Sequence, residues 1–284
     1  MKYSGPVLMF LAQVAFTIML VFVKIVRQEL SIFEVAFWRS LVAVPILMIM
    51  YRKVSWNVND RQTIVLRVLL GFCALCCFYG AAKGLPIADL SLISKIQPIL
   101  IALLAPILIG KSEKASHQLW GLMALAMIGC AILLAPSLEI GSQYGLLAVL
   151  AAIFSAHAHI LIRILKDEHP GVIVLWFQAG SGIMAFLIAL CTLEEIHLPP
   201  SHLYWPLVGV GLMAILGQLF MTLAYKHTKA ATVAIASYSG PLVAVCADII
   251  AFGIFPTWNV YVGGSIVVLA GILLMRSVHL ETTK

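Results

Sequence analysis

The sequence predicts an all-α membrane protein of ten transmembrane helices arranged as two inverted five-helix repeats. Three observations carry this. Ten apolar stretches, each roughly 20 residues and so able to cross the hydrocarbon of a bilayer, occupy most of the 284 residues. Hydrophobic residues make up 62% of the chain and charged ones only 11%, whereas soluble globular domains carry about 25% charged. The second half also repeats the first. A shift of 143 positions lays Ala81, Lys83, Ala88, Ser94, Pro98 and Gly110 on Ala224, Lys226, Ala231, Ser237, Pro241 and Gly253. A shift of 142 pairs Gly121 and Gly129 with Gly263 and Gly271, and one of 139 pairs Lys24 and Trp38 with Arg163 and Phe177. Five spans are an odd number, so the halves 1–138 and 139–284 enter the bilayer in opposite orientations, as in many secondary transporters.

The spans fall at 5–26, 32–51, 62–82, 86–110, 119–136, 144–165, 171–193, 203–225, 230–253 and 260–275. The first follows Lys2 but exits through Lys24, Arg27 and Glu29 with no small-residue cleavage site, so it is a retained span rather than a signal peptide. The second carries Glu34 and Arg39, and the third Arg67 with Cys73, Cys76 and Cys77. All six cysteines lie in apolar spans, where Cys packs as a small hydrophobe. The fourth carries Asp89, Ser91, Ser94, Lys95 and Pro98. Two i, i+4 steps put Ser91, Ser94, Lys95 and Pro98 on one helix face, and Pro98 predicts a kink that frees a carbonyl near Ser94. The ninth repeats this as Ser237, Tyr238, Ser239, Gly240 and Pro241, with Tyr238 in the place of Lys95. Glycines in the fifth (Gly121, Gly129) and tenth (Gly263, Gly264, Gly271) suit close helix contact and peripheral scaffolding. In the sixth, His157 and His159 are two residues apart, about 200° around a helix, which excludes joint ligation of one metal. One lining a cavity and one packing on a neighbour is the expected arrangement.

With ten spans both termini lie on one side. That side collects Lys2, Arg52, Lys53, Arg61, Lys111, Lys114, Arg163, Lys166, Lys226, Lys229, Arg276 and Lys284, against Lys24, Arg27 and Lys83 on the other. The positive-inside rule then predicts a multi-pass protein of the cell inner membrane with both termini in the cytoplasm. The formal charge of +6 is thus an orientation signal, and no nucleic-acid partner is expected. The connections are short, the longest being 52–61, so function resides in the bundle.

An ionisable side chain at mid-membrane costs about 2.5 to 3.5 kcal/mol on insertion scales and needs a partner or a wet cavity. Lys95, close to mid-depth, either binds a substrate carboxylate or phosphate or is neutralised by Asp89 or Glu34. Arg39 either holds substrate or ties two helices together, and Arg67 is near enough to the interface to snorkel. Glu34, Asp89 and Asp248 are candidate ion-coupling carboxylates, since desolvation favours a bound proton. Trp38, Tyr79 and Tyr238 are the aromatics expected against substrate, with Ser94 and Ser237 as polar contacts. Pro98 and Pro241 are the expected hinges.

Taken together, Phe37-Trp38-Arg39 in the second span, Pro98 and Pro241 mid-span, the closing Gly110 and Gly253, and the Gly-rich fifth and tenth spans resemble the EamA-like family of the drug/metabolite transporter superfamily. That family usually places Glu directly after the closing Gly; here Glu113 comes three residues late and Phe255-Pro256 carries no acid. Leu66-Arg67-Val68-Leu69-Leu70-Gly71 is similar to a subgroup that includes carriers of S-adenosylmethionine and riboflavin. The resemblance implies a carrier of amino-acid-, amine- or nucleotide-like metabolites, mostly outward and often proton-coupled.

The expected function is secondary active transport by alternating access, with export favoured. The substrate is a small polar or amphipathic metabolite with a negative group, and Lys95→Ala is expected to abolish its transport. Uptake of a metabolite such as S-adenosylmethionine or riboflavin is the alternative. A membrane-embedded enzyme would need a convergent nucleophile, acid pair or metal set, and His157 has no acid neighbour. A channel would need a continuous polar lining, whereas the polar groups here concentrate on a few spans. No cofactor or metal is expected; the partners are a small molecule, the bilayer and, as an open option, a second copy in a homodimer.

Overall fold

The computed structural model describes residues 4–81, 87–134, 143–192, 196–252 and 258–282. The side chains of Lys24, Tyr79, 87–89, Ser91, Asp248, 251–252 and 278–282 lie outside the described residues, as does the boundary at 138/139. The helices are α1 (Gly5–Val26), α2 (Ile32–Met50), α3 (Arg61–Ala81), α4 (Ile87–Ser94), α5 (Gln97–Leu108), α6 (His117–Leu134), α7 (Gln143–Ile164), α8 (Pro170–Thr192), α9 (Tyr204–His227), α10 (Ala230–Ala236), α11 (Gly240–Phe252) and α12 (Trp258–Thr282). Among the described residues nine segments are long and apolar enough to cross a membrane, and Leu92–Leu108 is a shorter apolar one. Helices α4 and α5 together make the fourth predicted span, and α10 and α11 the ninth. Large apolar side chains cover the outside: Ile107 is 77% and Ile250 85% exposed, as a lipid-facing surface requires.

The helix pairs follow the repeat. α1 lies along α9 and α3 along α7, so the first helix of each half packs on the third of the other. α2 packs on α8 and α6 on α12, joining equivalent helices of the two halves, while α5, the second part of the fourth span, packs on α10, the first part of the ninth. Alternation of direction gathers the starts of α1, α3, α6, α8 and α10 on the face that carries the termini; the starts of α2, α7, α9 and α12 lie on the opposite face. Polar ties close both faces. On the terminal face Glu113 is buried, accepts from Arg163 Nε at 2.9 Å and from the Ala230 amide at the start of α10 at 2.8 Å, while Arg163 Nη1 donates to the Tyr225 and Lys226 carbonyls near the end of α9. On the opposite face Glu34 forms a capping box with Ser31 at the start of α2 and accepts from the His197 amide at 3.2 Å.

The fourth and ninth spans are broken, where the sequence predicts only a kink. Lys95 N bonds Leu92 O and Ile96 N bonds Ile93 O, a 3-10 turn between α4 and α5, and the 3-10 turn Ser237–Ser239 separates α10 from α11. Pro98 and Pro241 are each the second residue of the helix after the break. Proline is suited to a first helical turn, whose amides have no intrahelical acceptor. The break turns Ser94 and Lys95 to different neighbours, so the single polar face predicted for the fourth span is not continuous.

Of the five predicted glycine contacts, Gly129 and Gly263 meet each other's helix, Gly264 faces Leu242 of α11, and two do not occur. A Cβ on Gly263 would overlap the Leu133 amide and the Gly129 carbonyl, and one on Gly129 would lie 3.0 Å from Gly263 O, so α6 and α12 touch backbone to backbone. Cβ atoms at Gly121 and Gly271 would meet nothing within 4 Å. Gly263→Val therefore separates α6 from α12 and destabilises by about 1–3 kcal/mol, the usual scale of overpacking, while Gly121→Ala leaves stability unchanged. Thermal melting of the detergent-purified variants checks this; equal melting temperatures for the two would refute it.

Candidate functional site

A cavity of about 280 Å³ lies inside the bundle. Equivalent positions of the two halves meet there: Phe16 and Ser155, Met19 and Ala158, and Leu20 and His159 differ by 139, and Gly71 and Ala214 by 143. Polar character enters through Arg39 on α2, Arg67 on α3, Ser94 and Gln97 on either side of the fourth-span break, Ser155 and His159 on α7, and Gln218 on α9. Two guanidiniums and no carboxylate stand among the described lining residues.

Arg67 is 2% exposed. Its Nη2 donates to Gln218 Oε1 at 3.3 Å and its guanidinium stacks 4.2 Å from the Phe177 ring centroid. Nε has no hydrogen-bond partner among the described residues. Gly71, one turn along α3, makes the room, because a Cβ there would overlap Arg67 Nη1. This is a charge held by an amide and a ring, with a donor left over. Arg39 is buried at the cavity wall. His159 Nδ1 lies 2.5 Å from Gln97 Nε2 and 3.4 Å from the Tyr225 hydroxyl. The Gln97 amide group and the Tyr225 hydroxyl both donate to that nitrogen when the ring proton is on Nε2. His157 instead bonds the Ile153 carbonyl of its own helix at 2.8 Å.

The predicted site residues divide. Arg39 and Ser94 line the cavity, Ser94 Oγ also donating to Leu90 O. Lys95, Ser237 and Tyr238 lie outside the lining and meet one another: Lys95 Nζ donates to Ser237 O at 3.3 Å, and Tyr238 Oη donates to Lys95 O at 2.9 Å. Trp38 packs against the α1–α9 core with its ring edge-on to Phe37. Glu34 is engaged in its capping box, and the side chains of Tyr79, Asp89 and Asp248 lie outside the described residues. Arg67, Gln97 and Gln218 were not among the expected site residues, and His159 is the one of the two sixth-span histidines that lines the cavity. The readable signal was Arg67 four residues before Gly71, a spacing that lays the side chain over a residue with no Cβ.

Comparison with known proteins agrees with this architecture. The chain is 27% identical to the pseudopaline exporter CntI of Pseudomonas aeruginosa, with 96% of each chain covered, and 27% identical to human solute carrier family 35 member G1 over 90% of this chain and 74% of that one. It is also 27% identical to an uncharacterized transporter of Helicobacter pylori over 83% and 82%. A crystal structure superimposes with a TM-score of 0.83 at 16% identity, covering 96% and 98% of the two chains, which shows a shared fold. The model of the EamA-like transporter family matches residues 3–135 and 143–277. With its helices, broken spans and central cavity on these two matched halves, the chain is a multi-pass membrane transporter of small molecules, not an enzyme, and belongs to the EamA-like transporter family.

Proposed function

We propose that the protein exports a small amphipathic metabolite bearing a carboxylate or other anionic group, by alternating access around the central cavity. The observation that carries this is the cationic lining: Arg39 and Arg67 face a cavity with no carboxylate among the described lining residues. Arg67 is buried against an amide and a ring, Gln218 and Phe177; a guanidinium held this way is costly in a membrane, and an anionic substrate offsets that cost when it binds. Gln97, Gln218 and Ser94 supply neutral hydrogen bonds to the polar part, and Phe16, Phe78 and Phe177 receive the apolar part. Export is the direction favoured, since the similar Pseudomonas protein is an exporter. Both termini are assigned to the cytoplasm of an inner-membrane protein, on the basic bias of the terminal face.

Lys95 and Tyr238 receive a different role in this reading. They tie the two breaks to each other, and residues 1–138 and 139–284 act as the repeats that rock about Pro98 and Pro241.

A panel of amino-acid-derived carboxylates, dicarboxylates, nucleotide-like anions and cationic amines tests the reading in proteoliposomes. Saturable flux and counter-exchange are expected for an anionic member. Arg67→Gln weakens its binding about 10- to 100-fold, the worth of a charge-assisted hydrogen bond, with unchanged melting temperature. Saturable transport of amines alone, unaffected by Arg39→Gln and Arg67→Gln, would sink the anion assignment. Lys95→Met has a separate expected signature: ligand binding is kept within about threefold while flux slows at least about tenfold, because the tie between breaks is lost and the cavity is not. Loss of binding in that variant would return Lys95 to the substrate site.

A further inference from the structure

A second recess, of about 470 Å³, lies between α1, α10–α11 and α12. Its wall is apolar from Leu242 and Val267 to Met275 and ends at one guanidinium, Arg276. Tyr238 and Ser239 form part of the floor, but their hydroxyls donate to Lys95 O and Ala236 O. Along α12, Val267 to Arg276 rises about 14 Å. That carries the recess from mid-bilayer to the terminal face, about one leaflet of a roughly 30 Å hydrocarbon core. Apolar over one leaflet and cationic at headgroup level is the complement of one class of molecule. Gly271 opens the middle, since a Cβ there would meet nothing within 4 Å.

We propose that this recess is a specific site for an anionic phospholipid of the leaflet on the terminal face, with one acyl chain along α12 and the phosphate at Arg276. Charge complementarity selects the headgroup, as basic positions between transmembrane helices do for acidic lipids. The chain fills space that would otherwise forfeit dispersion contacts. The site has a consequence for the fold because its floor includes Ala236, Tyr238 and Ser239, at the break in the ninth span. A seated chain therefore packs on the turn that Lys95 and Tyr238 hold together.

The test uses full-length protein in phosphatidylcholine nanodiscs titrated with phosphatidylglycerol and read by native mass spectrometry. One phosphatidylglycerol is expected to outlast the others during delipidation. Arg276→Ala weakens its retention about fivefold, from the contribution of one basic side chain near an acidic lipid, and Arg276→Lys restores it. Gly271→Phe occupies the recess and removes the retained lipid, with melting in pure phosphatidylcholine unchanged. Equal retention in wild type, Arg276→Ala and Gly271→Phe would mean annular lipid only and overturn the proposal, as would stronger retention of phosphatidylcholine or of free fatty acid. Should Gly271→Phe fail to insert, the Arg276→Ala and Arg276→Lys pair decides.

Discussion

The constraint on which the rest of this structure depends is that backbone polar groups inside hydrocarbon must find partners within the protein. Two spans break at mid-depth, and each break leaves carbonyls without the i+4 amide that an uninterrupted, proline-free helix supplies. At the first, Ile99 N bonds Ile96 O rather than Lys95 O, and the freed Lys95 carbonyl accepts from the Tyr238 hydroxyl. At the second, Ser237 O, whose i+4 residue is Pro241, accepts from the Gly240 amide and from Lys95 Nζ, and Tyr238 O accepts from Cys130 Sγ at 3.8 Å. The breaks thus complete each other. Tyr238, equivalent to Lys95 by the 143-residue shift, donates to the Lys95 carbonyl, and Lys95 donates to the carbonyl one residue before Tyr238, which is feasible because α5 packs on α10 between the halves.

That exchange also explains why the repeats have diverged. Two lysines at the equivalent positions would place like charges together at mid-membrane, whereas Lys95 and Tyr238 offer two neutral-compatible donors to two carbonyls. The same division holds at the second helix of each half. Arg39 corresponds by the 139-residue shift to Gln178, which is fully buried on α8. One half supplies the charge and the other a neutral amide. The terminal face shows it a third time: Glu113, just beyond the closing Gly110, caps α10 and pairs with Arg163, while the corresponding stretch of the second half, Phe255-Pro256, has no acid to do so.

Much of this was legible in the sequence because hydrocarbon imposes strong patterns. Span length, the five-plus-five repeat and the placement of Pro98 and Pro241 follow from hydropathy and from shifts that anyone can align. The close approach of α6 and α12 was legible too, although spacing alone could not separate Gly129 and Gly263, which touch, from Gly121 and Gly271, which do not. The site was less so. Depth along a helix follows from residue number, and it put Lys95 near the middle; direction around the helix does not survive a break, and the turn at Lys95 and Ile96 sends adjacent side chains to different neighbours. Arg67 shows the converse. Its position near an interface suggested snorkelling outward, yet Gly71 and the Phe177 ring let it fold inward over its own helix.

The two guanidiniums of the cavity lie at different depths. Arg67 is six residues into α3 from the terminal face, about 9 Å, and Arg39 seven residues into α2 from the opposite face, about 10 Å. In the proposed carrier this separation has a mechanistic use. A single fixed charge at the centre would hold an anion equally in every conformation and slow its release, whereas a charge nearer each entrance lets the halves exchange which guanidinium is shielded and which is wet. The attraction of each strengthens as water leaves and weakens as water enters. Neutral partners serve this better than carboxylates would: Gln218 and Phe177 keep Arg67 in place without competing for its charge.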